Sequence, residues 1–535
     1  MKIVFAKKTT VIIGILLVAL AIGGCSWFGD KQSKTLRYAV GAEPESLDPR
    51  KSTSIAAGNI EAQLFEGLTT LDSNNAPVPA AAERWEVSPD GLTYTFYLRQ
   101  GLKWSNGDPV TAEDFEYAWK TALSKEMASD YAYQLFYLKN GEAYNAGKVE
   151  ESEVGVKAVG NNGLQVTLEK PVPYFLSLIS CQTYYPVNKK LATSNENWAA
   201  DAKSYVGNGP FKMTSWTHQD KVEVVKNDQY WDAAKVKLPG IQFSFVESNS
   251  TVLTMFENNQ LDMAENPPVT ELPRLQKEGK VKVYPSLGTY YYSFNVRQAP
   301  FDNPKVRKAF SLAINRQDIV SRVLRGGQKI ALAIVPYGVP DVAAGEDFRV
   351  KGGDYIADND VATAQKLLTE AGYPGGKGLP TITLLYNTSD NNKVLAEAVQ
   401  EMLKKNLGVT VELTNQERKV FYDTLDSHNF QFARDEWVGD YDDAMTFMEL
   451  FETGNRNNNS GYSNPAYDAL IQTARNTTDQ AVRIKAMHDA EKLLVEDSPI
   501  IPMYFYADNV LITSHVKDIV RTIMGTVYLK GAYIE

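Results

Sequence analysis

Hydrophobic and polar positions change rhythm along this chain, and each rhythm predicts an element. Residues 11–24, VIIGILLVALAIGG, form an unbroken apolar run that follows Lys2, Lys7 and Lys8 and stops at Cys25. Residues 35–41, TLRYAVG, alternate as a strand does and lead into EPESLDP, a turn-rich segment bounded by Pro44 and Pro49. The stretch WEVSPDGLTYTFYLRQGLKWSNGDPVTAEDF predicts two strands around an Asp90-Gly91 turn and a second turn at Asn106-Gly107. A helix follows, capped by Thr111 with Glu113 and Asp114 in its first turn.

From residue 302 the pattern changes. Asp302-Asn303-Pro304 opens a helix with a capping side chain and a proline at its first position, and VRKAFSLAINRQDIVSRVL continues it with apolar spacings of three and four. After it come a helix over about 360–371 ending at Gly372, a strand PTITLLYN, a helix LAEAVQEMLKKNLG ending at Gly408, a strand VTVELTN, a helix around 417–427 and a strand FQFAR. Alternating strand and helix predict a parallel α/β sheet. Ligands bind such sheets beyond the carboxyl ends of the strands, where EWVGDYDD follows FQFAR. Asp440, Asp442 and Asp443 are thereby predicted on a cleft wall.

The N-terminal run is shorter than the roughly 20 apolar residues of a membrane-spanning helix and ends in small residues beside a cysteine, so it reads as a secretory signal. Ile22-Gly23-Gly24-Cys25 resembles the lipobox of bacterial lipoproteins, which implies cleavage of residues 1–24 and a lipid on Cys25, with 25–34 as a lipid-anchored linker. Cys181, in YFLSLISCQTYY, is the other cysteine and reads as a buried small hydrophobe, leaving no intramolecular disulfide. Residues 1–24 carry three lysines and no acids, so their removal takes the formal net charge from −10 to −13. That balance argues against nucleic acid as a partner.

Little in the chain promises metal or covalent chemistry. Histidines 218, 428, 488 and 515 have no metal-ligand spacing, HExxH and GxSxG are absent, and AGYPGGKG departs from a phosphate loop at Ala371 and Gly378. Asp440-Tyr441-Asp442-Asp443-Ala444 begins like a calcium loop but has alanine fifth and no following glycine. No metal and no cofactor are expected. Paired carboxylates leave a secreted hydrolase open as an alternative. Asp442 and Asp443 read as solvated loop residues. Asp440, flanked by Trp437, Gly439 and Tyr441, reads as partly buried and in need of a partner, either internal such as Arg434 or supplied by a ligand.

Several separated blocks resemble the solute-binding proteins of ABC peptide importers: ERWEVSPDGLTYTFYLRQGLKWSNGDPVTAEDFEYAW, VGNGPFKMTSW, NVRQAPFDNPKVRKAFSLAINRQDIV and LLYNTSDNNKVLAEAVQEMLKKNLGVTVELTNQE, in the family's order and spanning residues 35–535. The resemblance implies an α/β, two-lobed periplasmic-binding-protein fold of class II with three domains and a hinged cleft. Its expected domains are 35–65 with 191–287 and 507–535, an insertion 66–190, and 288–506. It implies a monomeric, non-enzymatic, lipid-anchored extracytoplasmic protein that captures oligopeptides and delivers them to the importer's permease subunits. Arg434, Trp437, Asp440 and Tyr441 match a cleft segment of the family, which makes Asp440 the anchor of the peptide ammonium and Arg434, Glu436 and Val438 part of the strand against which the peptide lies. Tyr131, Tyr291 and Tyr506 match aromatics near the cleft. Ala444 stands where proline is common, Gly288 and Val438 where some members have a disulfide, and Asn392 and Leu425 where some hold basic residues. Dipeptides, metal chelates, haem and sugars remain alternative solutes.

Overall fold

The computed structural model describes residues 35–343 and 345–535. The signal segment, Cys25 and the linker lie outside the described residues. No helix among the described residues is long and apolar enough to cross a membrane.

Among the described residues, eleven strands join in one sheet that runs through both lobes. In the first lobe Leu36–Gly41 pairs in parallel with Gly240–Phe245 and Met263–Glu265, and Lys221–Lys226 and Phe211–Thr217 extend the edge antiparallel. In the second, Ile382–Asn387 pairs in parallel with Val411–Gln416 and Phe432–Val438. The predicted strand-helix alternation is present there, with helices Asp390–Leu407 and Arg418–Asp426 as the crossovers.

Two long antiparallel strands, Val281–Phe294 and Ile500–Ile512, carry the sheet from one lobe to the other. Their register breaks between Pro285, opposite Ala507, and Thr289, opposite Phe505. Gly288 sits in the break, and a Cβ there would lie 2.4 Å from the Tyr506 ring, so the ring's close approach requires glycine.

The predicted hairpin forms strands Ala82–Val87 and Thr93–Leu98, with Gly91 at φ +69° in the turn. Thr111 caps helix Ala112–Leu123 in a box with Asp114. These strands join Val156–Val159 and Gly163–Thr167 in a separate four-stranded sheet.

One expectation fails. The helix that opens at Pro304 ends at Leu312 rather than running on through SRVL. Asn315 starts a new turn by accepting the Asp318 amide at 2.8 Å, and the fully buried Arg316 folds back onto the carbonyls of Ser311 and Pro502. These side-chain bonds outcompete a continuous helical ladder. Helices Pro304–Leu312, Val361–Glu370 and Asp390–Leu407 instead cover one sheet face, over a cluster that includes Phe294, Phe310, Leu384, Leu395, Leu403 and Phe432.

Candidate functional site

Strand Phe432–Val438 is buried over its first four residues and becomes progressively exposed toward Val438. On one side it pairs antiparallel with Val281–Phe294, from Phe294 opposite Phe432 to Gly288 opposite Val438. On the other it touches Ile382–Asn387 only at Phe432 and Ala433. From Arg434 onward that second edge has no partner strand among the described residues.

The phase of the ladder decides which groups face the open edge. The Gly439 amide donates to the Leu287 carbonyl at 2.8 Å, and hydrogen-bonded pairs alternate along an antiparallel ladder. Trp437 and Asp435 therefore turn their main-chain groups toward the paired strand, and Arg434, Glu436 and Val438 turn theirs outward. The Glu436 amide is already taken by the Asp435 carboxylate at 2.9 Å.

Past the strand the chain turns sharply. A Cβ at Gly439 would lie 2.6 Å from Leu287 and 2.9 Å from Thr446, so glycine lets the turn close. The Thr446 hydroxyl accepts both the Trp437 indole N–H at 3.1 Å and the Asp440 amide at 3.2 Å, fixing the strand end to the turn.

The Asp440 carboxylate has no hydrogen-bond or ion-pair partner among the described residues. It remains open to water, yet protein surrounds it closely enough that desolvation alone raises its carboxyl above the usual range. Across a cavity of about 380 Å³ stand Thr53, Ser54 and Ile55, at the start of helix Ile55–Leu64, together with Tyr131, Gln134 and Gln182. The Tyr131 hydroxyl is pushed up to about 12, by desolvation first and then by the charges of Tyr133 and Asp440.

The predicted residues separate into three groups. Asp440, Val438 and Tyr131 line the cavity. Arg434, Glu436 and Tyr506 form a connected cluster, in which the Arg434 guanidinium and the Tyr506 hydroxyl both donate to Glu436 Oε2. Trp437 and Tyr291 lie on the opposite strand face. Trp437 packs into the main core, and Tyr291, 2% exposed, sets its ring against Phe451 at 6.2 Å. Tyr291 does not reach the cavity, because its register opposite Asp435 turns it away.

Asp442 and Asp443 are not solvated. Asp443 is 8% exposed and forms a two-pronged ion pair with buried Arg483 at 2.5 and 2.8 Å, while also accepting the Met445 amide at 2.9 Å. Asp442 is 5% exposed, both its oxygens lack partners among the described residues, and burial beside Asp443 and Asp347 holds its carboxyl well above the usual range. Nor does Arg434 serve as the internal partner of Asp440, since it is engaged by Glu436.

Tyr441 is held from two sides. Its ring stacks on Tyr174 at 4.0 Å and 2°, and its hydroxyl donates to Glu449 at 2.7 Å. Sequence reasoning missed Thr446, whose only signal was its spacing from Trp437, and also missed the role of Cys181. That cysteine lines the cavity, with its thiol pushed up to about 11 by burial.

The family model described as bacterial extracellular solute-binding proteins, family 5 Middle, matches residues 76–459. The chain is 41% identical to the oligopeptide-binding protein OppA of Bacillus subtilis, over 99% of this chain and 100% of that protein. Its fold is similar to the periplasmic murein tripeptide-binding protein MppA in an unliganded open form, at TM-score 0.85 and 34% identity, covering 94% of this chain and 98% of that one. It is similar also to Haemophilus influenzae OppA in complex with the peptide RPPGFSPFR, at TM-score 0.69 and 34% identity, covering 94% and 99%.

Proposed function

This chain belongs to the family 5 bacterial extracellular solute-binding proteins, and from that premise we propose that it captures oligopeptides between its lobes and delivers them to an ABC importer. The observation that carries the proposal is the open strand edge of Arg434–Val438 ending at an unpartnered carboxylate, Asp440. An extended peptide adds to such an edge through main-chain hydrogen bonds that ignore side-chain identity. Its α-ammonium then reaches Asp440, and the charge-assisted bond sets the register.

Closure completes the site by bringing Tyr131 and the start of helix Ile55–Leu64 over the peptide. The proposal divides the chain into 35–65 with 191–287 and 507–535, 66–190, and 288–506. The register break around Gly288 supports a hinge at the two crossings of the long strands. No catalysis is proposed. Asp440 and Asp442 are the carboxylates lining the cavity among the described residues, and Asp442 is sealed from solvent, which leaves no second accessible acid for paired chemistry.

Alanine peptides of two to six residues, offered to protein stripped by unfolding and refolding, test the function. Ligand at about 100 times its dissociation constant stabilises the native state by roughly 2.7 kcal/mol, seen as a raised melting temperature. No shift with any length would exclude peptide as the ligand.

Lipid attachment at Cys25 belongs to the same proposal, as a tether on the outer face of the cell membrane. Cys25→Ser is expected to abolish lipid labelling and partition into detergent, since stable anchoring requires more than a single acyl chain. Retained covalent lipid in that variant would refute the anchor.

A further inference from the structure

The two ends of a peptide meet unequal surfaces in this protein. The cavity around Asp440 is lined by no lysine, arginine or histidine among the described residues. Arg434 is the cation of the strand against which the peptide is proposed to lie, and three features take it out of reach.

The first is depth. Arg434, Glu436 and Val438 share one strand face with Tyr290 and Gly288, and exposure falls steeply along it. Val438 is 57% exposed, the Glu436 side chain 28% and Arg434 only 5%. Anything laid on this face meets Glu436 before it meets Arg434.

The second is neutralisation. The Arg434 guanidinium donates to Glu436 Oε2, and the Tyr506 hydroxyl donates to the same oxygen. The Tyr422 hydroxyl approaches the other oxygen at 3.4 Å. The third is packing, because Arg434 lies 5.1 Å over the Tyr290 ring, which stacks on Tyr504 at 4.9 Å. An incoming carboxylate would have to displace a bonded carboxylate from a buried cation and pass its negative charge on the way.

We infer that Glu436 masks Arg434, so that the cleft reads the amino end of its ligand and leaves the carboxyl end without a charged anchor among the described residues. This inference rests on the peptide-binding proposal and specifies its substrate class: peptides with a free α-ammonium, whether their carboxyl end is free, amidated or continued as a longer chain. Glu436 is a specificity-determining residue that acts through Arg434.

The test uses tri- to hexa-alanine, each as free acid and as C-terminal amide, with affinities measured by calorimetry. Wild-type protein is expected to bind acid and amide within about threefold at every length, where a lost charge-assisted bond would cost about tenfold or more. In Glu436→Gln, which keeps the side chain's shape and frees the guanidinium, the acid is expected to gain on the amide by about tenfold for at least one length. Wild-type preference for the acid by more than tenfold at any length would overturn the inference, and so would a ratio that Glu436→Gln leaves unchanged. Binding of neither form at any length would instead count against the peptide proposal, so the two failures are distinguishable. The wild-type comparison stands whether or not the variant folds.

Discussion

Asp440→Asn is expected to lower peptide affinity by some 30-fold to several thousandfold, equivalent to about 2 to 5 kcal/mol for one partner of a desolvated charge pair. The size follows from the isolation of the carboxylate: with no internal cation to fall back on among the described residues, its compensation comes with the ligand. N-acetylation of the peptide removes the same pair from the other side. It should weaken binding strongly in wild type and much less in Asp440→Asn, and the difference between the two losses isolates the pair. Equal losses in both proteins would show that Asp440 does not hold the amine.

The same pair predicts a pH profile. Desolvation raises the Asp440 carboxyl in the free protein, and an ammonium beside it favours the ionised form and so lowers it in the complex. Affinity is then fully present above the free protein's raised pKa and declines as pH falls through it, beginning at higher pH than for an ordinary aspartate. A second decline is expected above about pH 8, where the peptide amine loses its proton. Asp440→Asn should flatten the acid limb and most of the alkaline one, because the peptide ammonium then has no carboxylate to meet.

What the sequence made legible depended on how far apart the interacting residues lie. The alternation in FQFAR is local and located the strand, but the strand runs on through Trp437 to Val438 before the turn. Period-two alternation also contained the Arg434–Glu436 pair, because residues two apart in a strand share a face. The expectation that Arg434 might serve Asp440 overlooked that nearer partner. Tyr290, Tyr291 and Tyr292 could not be told apart, since their facing depends on register with Phe432–Val438, which no local pattern specifies. Asn315 ended a helix whose apolar spacing ran on, through a capping bond and a buried arginine seated on a carbonyl of the distant Pro502.

The burial of Asp443 lay furthest from view. Its partner, Arg483, is forty residues away on helix Gln480–Asp497, so a run of carboxylates after a strand looked like a solvated loop. The pair shows instead that the turn carrying Asp440 is held from beneath. Asp443 grips Arg483 with both oxygens and also takes the Met445 amide, one residue before the Thr446 hydroxyl that fixes Asp440 and Trp437.

Arg483→Met is therefore expected to destabilise the protein by about 3 to 5 kcal/mol, because it strands one buried carboxylate next to another that already lacks a partner. The loss should appear in urea unfolding monitored at pH 7. Adding Asp443→Asn to Arg483→Met removes the stranded charge and should recover a large part of it, since a buried pair replaced by neutral groups is often close to neutral. A loss below about 1 kcal/mol in Arg483→Met alone would mean that water reaches Asp443 and that the pair does not hold the turn. Binding separates the three aspartates further. Arg483→Met should weaken stability and peptide affinity together, through the displaced turn, whereas Asp440→Asn should weaken affinity alone. Asp442→Asn should do neither, because burial beside Asp443 already disfavours the charged form of its carboxyl and an amide of the same shape leaves both the Arg483 pair and the Thr446 contacts in place.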